Sequence, residues 1–212
     1  MELTWLGHSG FRIKSKEATI VIDPPPFEGK PAASQEADLV LLSHHHEGHA
    51  NQALVKGAPL VFDGPGEYES REVPILGLST YHDDVKGERL GKNTVFRMEM
   101  ETLVLCHLGD LGHSLSAAQA EALGTVDILL VPVGGATTID ASKAAEMVKL
   151  IDPKVVIPMH YRDGEERQDL DTVEKFLNEM GVKDLVPQPK LTVNRSSLPA
   201  ERQVMVLEAR RT

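Results

Sequence analysis

The chain has 212 residues, 41% hydrophobic and 25% charged, with a formal net charge of −10, which is enough length for one sizeable buried core. The acidic balance argues against a general polyanion-binding protein, and no apolar run reaches the length of a membrane span. One cysteine, Cys106 within an apolar stretch, leaves no internal disulfide and suits a reducing compartment, so a cytoplasmic location is expected.

The opening Met1-Glu2-Leu3-Thr4-Trp5 has no basic region followed by an apolar stretch, and no signal peptide is expected. Strands are predicted over 2–6, 11–14 and 19–22, where apolar and β-branched residues are bounded by Gly or Pro. Pro24-Pro25-Pro26 reads as a stiff loop within the domain. The continuous apolar run 39–42 predicts a strand covered on both faces. Further strands are predicted over 60–62, 75–80, 94–98 and 103–106. A short helix over 116–123 is expected, capped by Ser114 or Ser116 and ended by Gly124. Beyond a strand over 128–131, Ala141, Ala144, Ala145, Val148 and Ile151 recur at helical spacing, and Pro153 closes the segment. A strand over 155–157 precedes a second stripe, Leu170, Val173, Phe176, Leu177 and Met180, with Gly181 as its stop. The last predicted strand is 204–207. No linker or low-complexity stretch divides the chain, so a single α/β domain over 1–212 is expected.

Nine histidines carry the functional argument. His44, His45, His46 and His49 follow the 39–42 run at once, His8 follows the first strand, and His82 and His107 follow later strands. His160 comes shortly after 155–157, while His113 lies slightly apart in Gly109-Asp110-Leu111-Gly112-His113. Ligands that converge on one point come from strand ends and loops at one edge of a sheet. Imidazole and carboxylate are the donors expected for zinc, manganese or iron. His44 and His46 are two residues apart and can turn toward one ion, whereas His49 can address a neighbouring one. Asp110 has glycines around it, which lets a short carboxylate approach a metal. A lone histidine is more often a surface or core residue than a ligand. That reading is preferred for His45, whose side chain is expected to point away, and for His107 as hydrogen-bonding support.

These residues resemble the metallo-β-lactamase superfamily, whose leading motif His-x-His-x-Asp-His reads here His44-His45-His46-Glu47-Gly48-His49. The similarity is strongest to the branch of L-ascorbate-6-phosphate lactonase and related bacterial metal-dependent hydrolases. It runs through Gly7-His8-Ser9, Ile22-Asp23-Pro24, Gly64–Tyr68, Tyr81-His82-Asp83, Gly91–Thr94, His107-Leu108-Gly109-Asp110 and Pro158-Met159-His160-Tyr161. The resemblance implies a four-layer αββα sandwich with metals at one edge between two sheets. It implies His44, His46 and His82 as ligands of a first metal, Asp110 as the bridge, and His49 and His160 as ligands of a second. The motif aspartate is Gly48 here, which removes a ligand and a potential proton acceptor from the second position.

The expected function is hydrolysis of a small-molecule ester, lactone or phosphoester by metal-activated water. Zinc is the expected ion, one or two per chain, with manganese or iron as alternatives. Asp110, His8 and His113 are the candidate catalytic residues: Asp110 to position the nucleophile, the histidines as proton donors. A small-molecule substrate is expected, with neither nucleic acid nor membrane as partner, and a homo-oligomer is compatible with the sequence. The competing reading, favoured by Gly48, is a non-catalytic or weakly active metal-binding or ligand-sensing protein.

Overall fold

The computed structural model describes residues 1–25, 35–46, 49–164 and 168–210. Pro26, Glu47 and Gly48, singled out above, lie outside the described residues. The chain opens with a meander of β1 (Glu2–Gly7), β2 (Gly10–Lys14) and β3 (Thr19–Ile22). β4 (Gln35–Glu36), β5 (Leu39–Leu41), β6 (Val55–Lys56) and β7 (Leu60–Phe62) follow. Next come β8 (Gly66–Ser70), β9 (Val73–Tyr81), β10 (Lys92–Met100) and β11 (Leu103–His107). The rest mixes α1 (Ala117–Leu123), β12 (Ile128–Pro132), α2 (Ala141–Ile151), β13 (Val155–Met159), α3 (Val173–Glu179), β14 (Leu191–Thr192) and β15 (Gln203–Val204). One sheet is ordered β14-β1-β2-β3-β5-β7 and the other β15-β13-β12-β11-β10-β9-β8, while β4 and β6 pair as a small ribbon.

Alternation sets the inward face of the first sheet: Phe11 and Ile13 are buried on β2, whereas Arg12 between them is half-buried and Lys14 is exposed. Trp5, Phe11, Ile22 and Leu41 share one core with Phe96, Met98 and Leu105 of the second sheet. The other face of the first sheet packs Leu6 and Val21 against Ala37 and Val55, at the β4–β6 ribbon. β12 and β13 are buried at every position, as parallel strands covered on both faces must be. Helix α2 packs on β12 and α3 packs on α2, burying Ala144, Ala145 and Val148. Each large side chain fully removed from water in such layers contributes roughly 1.5–3 kcal/mol. The expected α/β sandwich is the observed architecture.

The caps follow the sequence closely. Ser116 forms a capping box with Gln119 at the start of α1, and Asp140 accepts from the Lys143 N–H at the start of α2. The chain leaves α2 through Asp152 in the left-handed region, directly before Pro153. The last helix is shorter than its stripe: α3 starts at Val173, and Leu170 is buried in the segment ahead of it. Of the predicted strand 204–207, only Val204 lies in β15, and Leu207 makes an isolated bridge to Gln188. β8 was not predicted because Glu67 and Glu69 alternate along an edge strand with little apolar signal.

Strand direction places the functional residues. β1 and β3 both oppose β2, and β5 runs parallel to β3, so β1, β3 and β5 finish at one edge. In the second sheet β9 and β11 both oppose β10, and β12 and β13 run parallel to β11. Their C-terminal ends therefore also coincide. His8 and Asp23 follow β1 and β3, and His44, His46 and His49 follow β5. His82, Asp110 and His160 follow β9, β11 and β13.

Candidate metal centre

Four imidazoles surround one carboxylate oxygen. The Oδ2 of Asp110 lies 3.0 Å from His160 Nε2, 3.1 Å from His49 Nε2, 3.3 Å from His82 Nε2 and 3.9 Å from His44 Nε2. The ligand atoms divide into two groups, each with all members within 4.8 Å of one another: His44, His46 and His82, and His8, His49, Asp110 and His160. Asp23, His44 and His49 form a third, overlapping group. The structure thus brings together every residue expected as a ligand, and adds His8 and Asp23.

Hydrogen bonds set the tautomers in the first group. The Ser43 hydroxyl donates to Asp23 Oδ2 at 2.6 Å, so at 2.8 Å from His44 Nδ1 it accepts, and the His44 proton sits on Nδ1. That leaves Nε2 of His44 a lone pair, buried and without a hydrogen-bond partner. His82 Nδ1 donates to Thr137 O at 3.0 Å, which turns its Nε2 toward Asp110. Asp23 also accepts from the Ser43 N–H at 2.7 Å and lies 3.6 Å from His49 Nδ1. One buried carboxylate therefore steadies histidines of both groups.

Asp110 is held from both sides. Ser9 Oγ donates to its Oδ1 at 3.0 Å, and its own N–H donates to Asn93 Oδ1 at 2.9 Å. Asn93 is buried and spends its amide hydrogens on Thr80 Oγ1 and Leu108 O. Gly109 sits at φ +57 against Asn93 and Ser43 with no room for a β-carbon, so the turn that presents Asp110 needs glycine there. Asp83 organises the next loop: its carboxylate accepts the N–H groups of Val85, Gly87, Arg89 and Leu90.

The remaining histidines separate by their partners. His45 is exposed and reaches Asp63, 3.3 Å away, outward as expected. His107 donates from Nε2 to Ser9 O and accepts from Gly109 N–H at Nδ1, a supporting role with neither nitrogen to spare. The structure does not bring His113 into either group. Its Nδ1 donates to Ser114 O and its Nε2 accepts from Tyr81 N–H, so both ring nitrogens face backbone rather than the clustered donors. The roles of Asp23, Ser43, Ser9 and Asn93 were not read from the sequence; the segments Gly7-His8-Ser9, Ile22-Asp23-Pro24 and Gly91–Thr94 were the available signals.

Burial and the Asp110 carboxylate together set the electrostatics. Burial lowers His44 to about 3, outweighing the pull of Asp110. Burial lowers His46 as well. Burial also opposes the charged form of His49, but Asp110 and Asp23 override it and raise His49 to about 10. His82 is raised against burial by Asp110. Asp110, though buried, stays well below the carboxylate range because His160 and His49 face it. His44 and His46 are thus held toward the neutral form, while Asp110 draws His82 and His49 toward the charged form, and a cation can stand in place of those protons. The orphaned Nε2 of His44 and the imidazole–carboxylate donor set fit a transition-metal ion.

The family profile described as "Beta-lactamase superfamily domain" matches residues 2–160. A UPF0173 protein of Pyrococcus abyssi is 31% identical over 178 residues, covering 76% of this chain and 83% of that one. A UPF0173 metal-dependent hydrolase of Methanopyrus kandleri is 28% identical over 216 residues, covering 86% and 94%. Among solved structures, a candidate Zn-dependent hydrolase of the metallo-β-lactamase superfamily from Thermotoga maritima is 40% identical, with a TM-score of 0.80 and 97% of each chain covered.

Proposed function

Because the chain belongs to the metallo-β-lactamase superfamily, in its UPF0173 family of metal-dependent hydrolases, we propose that it hydrolyses a small-molecule ester, lactone or phosphoester at the edge where the two sheets meet. The observation that carries this reading is Asp110 Oδ2 at 3.0–3.9 Å from four imidazole nitrogens, the placement of a carboxylate shared between two ions. His44, His46 and His82 would hold one ion, His49 and His160 the other, with Asp110 between them. Zinc is the ion this donor set suits best, and manganese or iron also accept it. When bound, the ions supply Lewis acidity toward the substrate oxygen and water of lowered pKa.

The chain's own groups do the rest. Asp110 aligns the nucleophile while Ser9 and the Asn93–Gly109 contact hold its carboxylate in place. Asp23, through Ser43, keeps His44 in the tautomer that presents Nε2. The net negative charge and the burial of every proposed donor but His46 favour a small substrate over a polyanion. The test is elemental analysis of protein purified without added chelator, joined to a screen of lactones, phosphomonoesters and phosphodiesters. Bound transition metal with turnover in one class is expected; protein that takes up no metal from solution would overturn the proposal.

A further inference from the structure

We propose, resting on the reading of Asp110 as a ligand shared between two ions, that His8 is the fourth protein ligand of the second metal position. Its ligand nitrogen lies within 4.8 Å of those of His49, Asp110 and His160, and its ring is 4.7 Å from the His49 ring and 4.2 Å from the His160 ring. Donors about 2.0–2.2 Å from a tetrahedral ion stand roughly 3.3–3.6 Å apart. Side-chain shifts of about 1 Å therefore close this group on one cation.

The backbone is built to hold His8 there. His8 and His160 both adopt φ 52, a left-handed conformation uncommon in residues other than glycine, and such strain is retained where surrounding structure imposes it. The His8 carbonyl accepts from His160 N–H at 3.0 Å and from Trp5 Nε1 at 3.0 Å. The two strained residues are thus bonded to each other, and their rings meet beside Asp110. Asp110 is the one carboxylate in the group, and Gly48 offers no side chain, so a further imidazole completes a donor set of three neutral nitrogens and one shared carboxylate. This assigns His8 a ligand's place rather than that of proton donor.

The test is Co2+ titration of metal-stripped wild type and His8→Asn, followed by visible absorption and calorimetry, with His46→Ala as the first-group control. Asparagine tolerates the left-handed backbone, and His8→Gly, which takes positive φ without strain, is the second variant. Wild type is expected to bind two ions. His8→Asn and His8→Gly should weaken one step at least about tenfold and leave unchanged the step that His46→Ala weakens. Unchanged affinity at both steps in either folded variant overturns the assignment, whatever happens to turnover. Hyperfine-shifted imidazole signals of fully loaded Co2+ wild type need no variant: six ligand histidines support the assignment, and five overturn it. Wild type that binds no Co2+ would instead overturn the hydrolase reading itself.

Discussion

At the residue scale the site depends on Asp110 more than on any single histidine, because its Oδ2 faces both groups. Asp110→Asn removes the charge that draws a cation and should cut metal content at both positions, measurable by elemental analysis; a variant that keeps both ions would show that the carboxylate bridges nothing. The proton count offers a second check. His49, raised to about 10, must lose its proton to ligate, whereas His44, lowered to about 3, is already neutral at pH 7. Metal added to metal-free protein at neutral pH should therefore release protons, and affinity should rise with pH up to about 10. Weakly buffered solution with a pH indicator reads this directly, and no release would contradict the assignment of His49. Asp23→Ala strips partners from Ser43 and a neighbouring charge from His49. It should weaken metal binding about 10–100-fold, measured by competition with a chromophoric chelator.

At the scale of elements, the loops after β9, β11 and β13 matter because each carries a candidate donor at or near its start. Gly112 lies against the backbone of His82 with no space for a β-carbon, and its N–H donates to Tyr81 O. Gly112→Ala should push His82 out of line and weaken the first metal position while the fold persists; wild-type binding by the variant would show that the loop can yield. β12 illustrates the opposite case, an element whose work is support. Leu130 is fully buried there, and its carbonyl accepts the Leu108 N–H at the start of the segment leading to Asp110. Leu130→Ala should cost about 2–5 kcal/mol in denaturant unfolding. Because the backbone bond survives the change, metal stoichiometry in the folded fraction should not alter.

For the whole molecule, the clustered groups make metal-free stability depend on pH in two directions. His44 falls from an ordinary 6.5 to about 3 on folding, so its contribution is present above 6.5 and lost as pH drops toward 3. His49 rises from 6.5 to about 10, so its contribution is full below 6.5 and lost as pH rises through 10. Thermal unfolding of the stripped protein should show both flanks. Added metal should raise the melting temperature by mass action and flatten the alkaline flank, since the ion takes the place of the His49 proton. An alkaline flank identical with and without metal would place the ion elsewhere. Among the described residues no helix is long and apolar enough to cross a membrane.

The sequence by itself determined most of the strands, the start of α1 and the candidate donors, because period-two burial, Gly and Pro punctuation and His-x-His spacing are local properties of the chain. It carried the metallo-β-lactamase family through motifs such as Gly7-His8-Ser9 and His107-Leu108-Gly109-Asp110. Only the tertiary structure decided which donors share a point. His8 and His160 are far apart in sequence yet bonded through backbone, and Ser9 reaches Asp110 across 101 positions. His107 was expected as hydrogen-bonding support and His113 as a candidate proton donor, and only the tertiary structure supplies the partners of their rings. What removed them from the metal groups was the backbone partner available to each ring nitrogen, which exists only once β9, β11 and the loops between the sheets have been brought together.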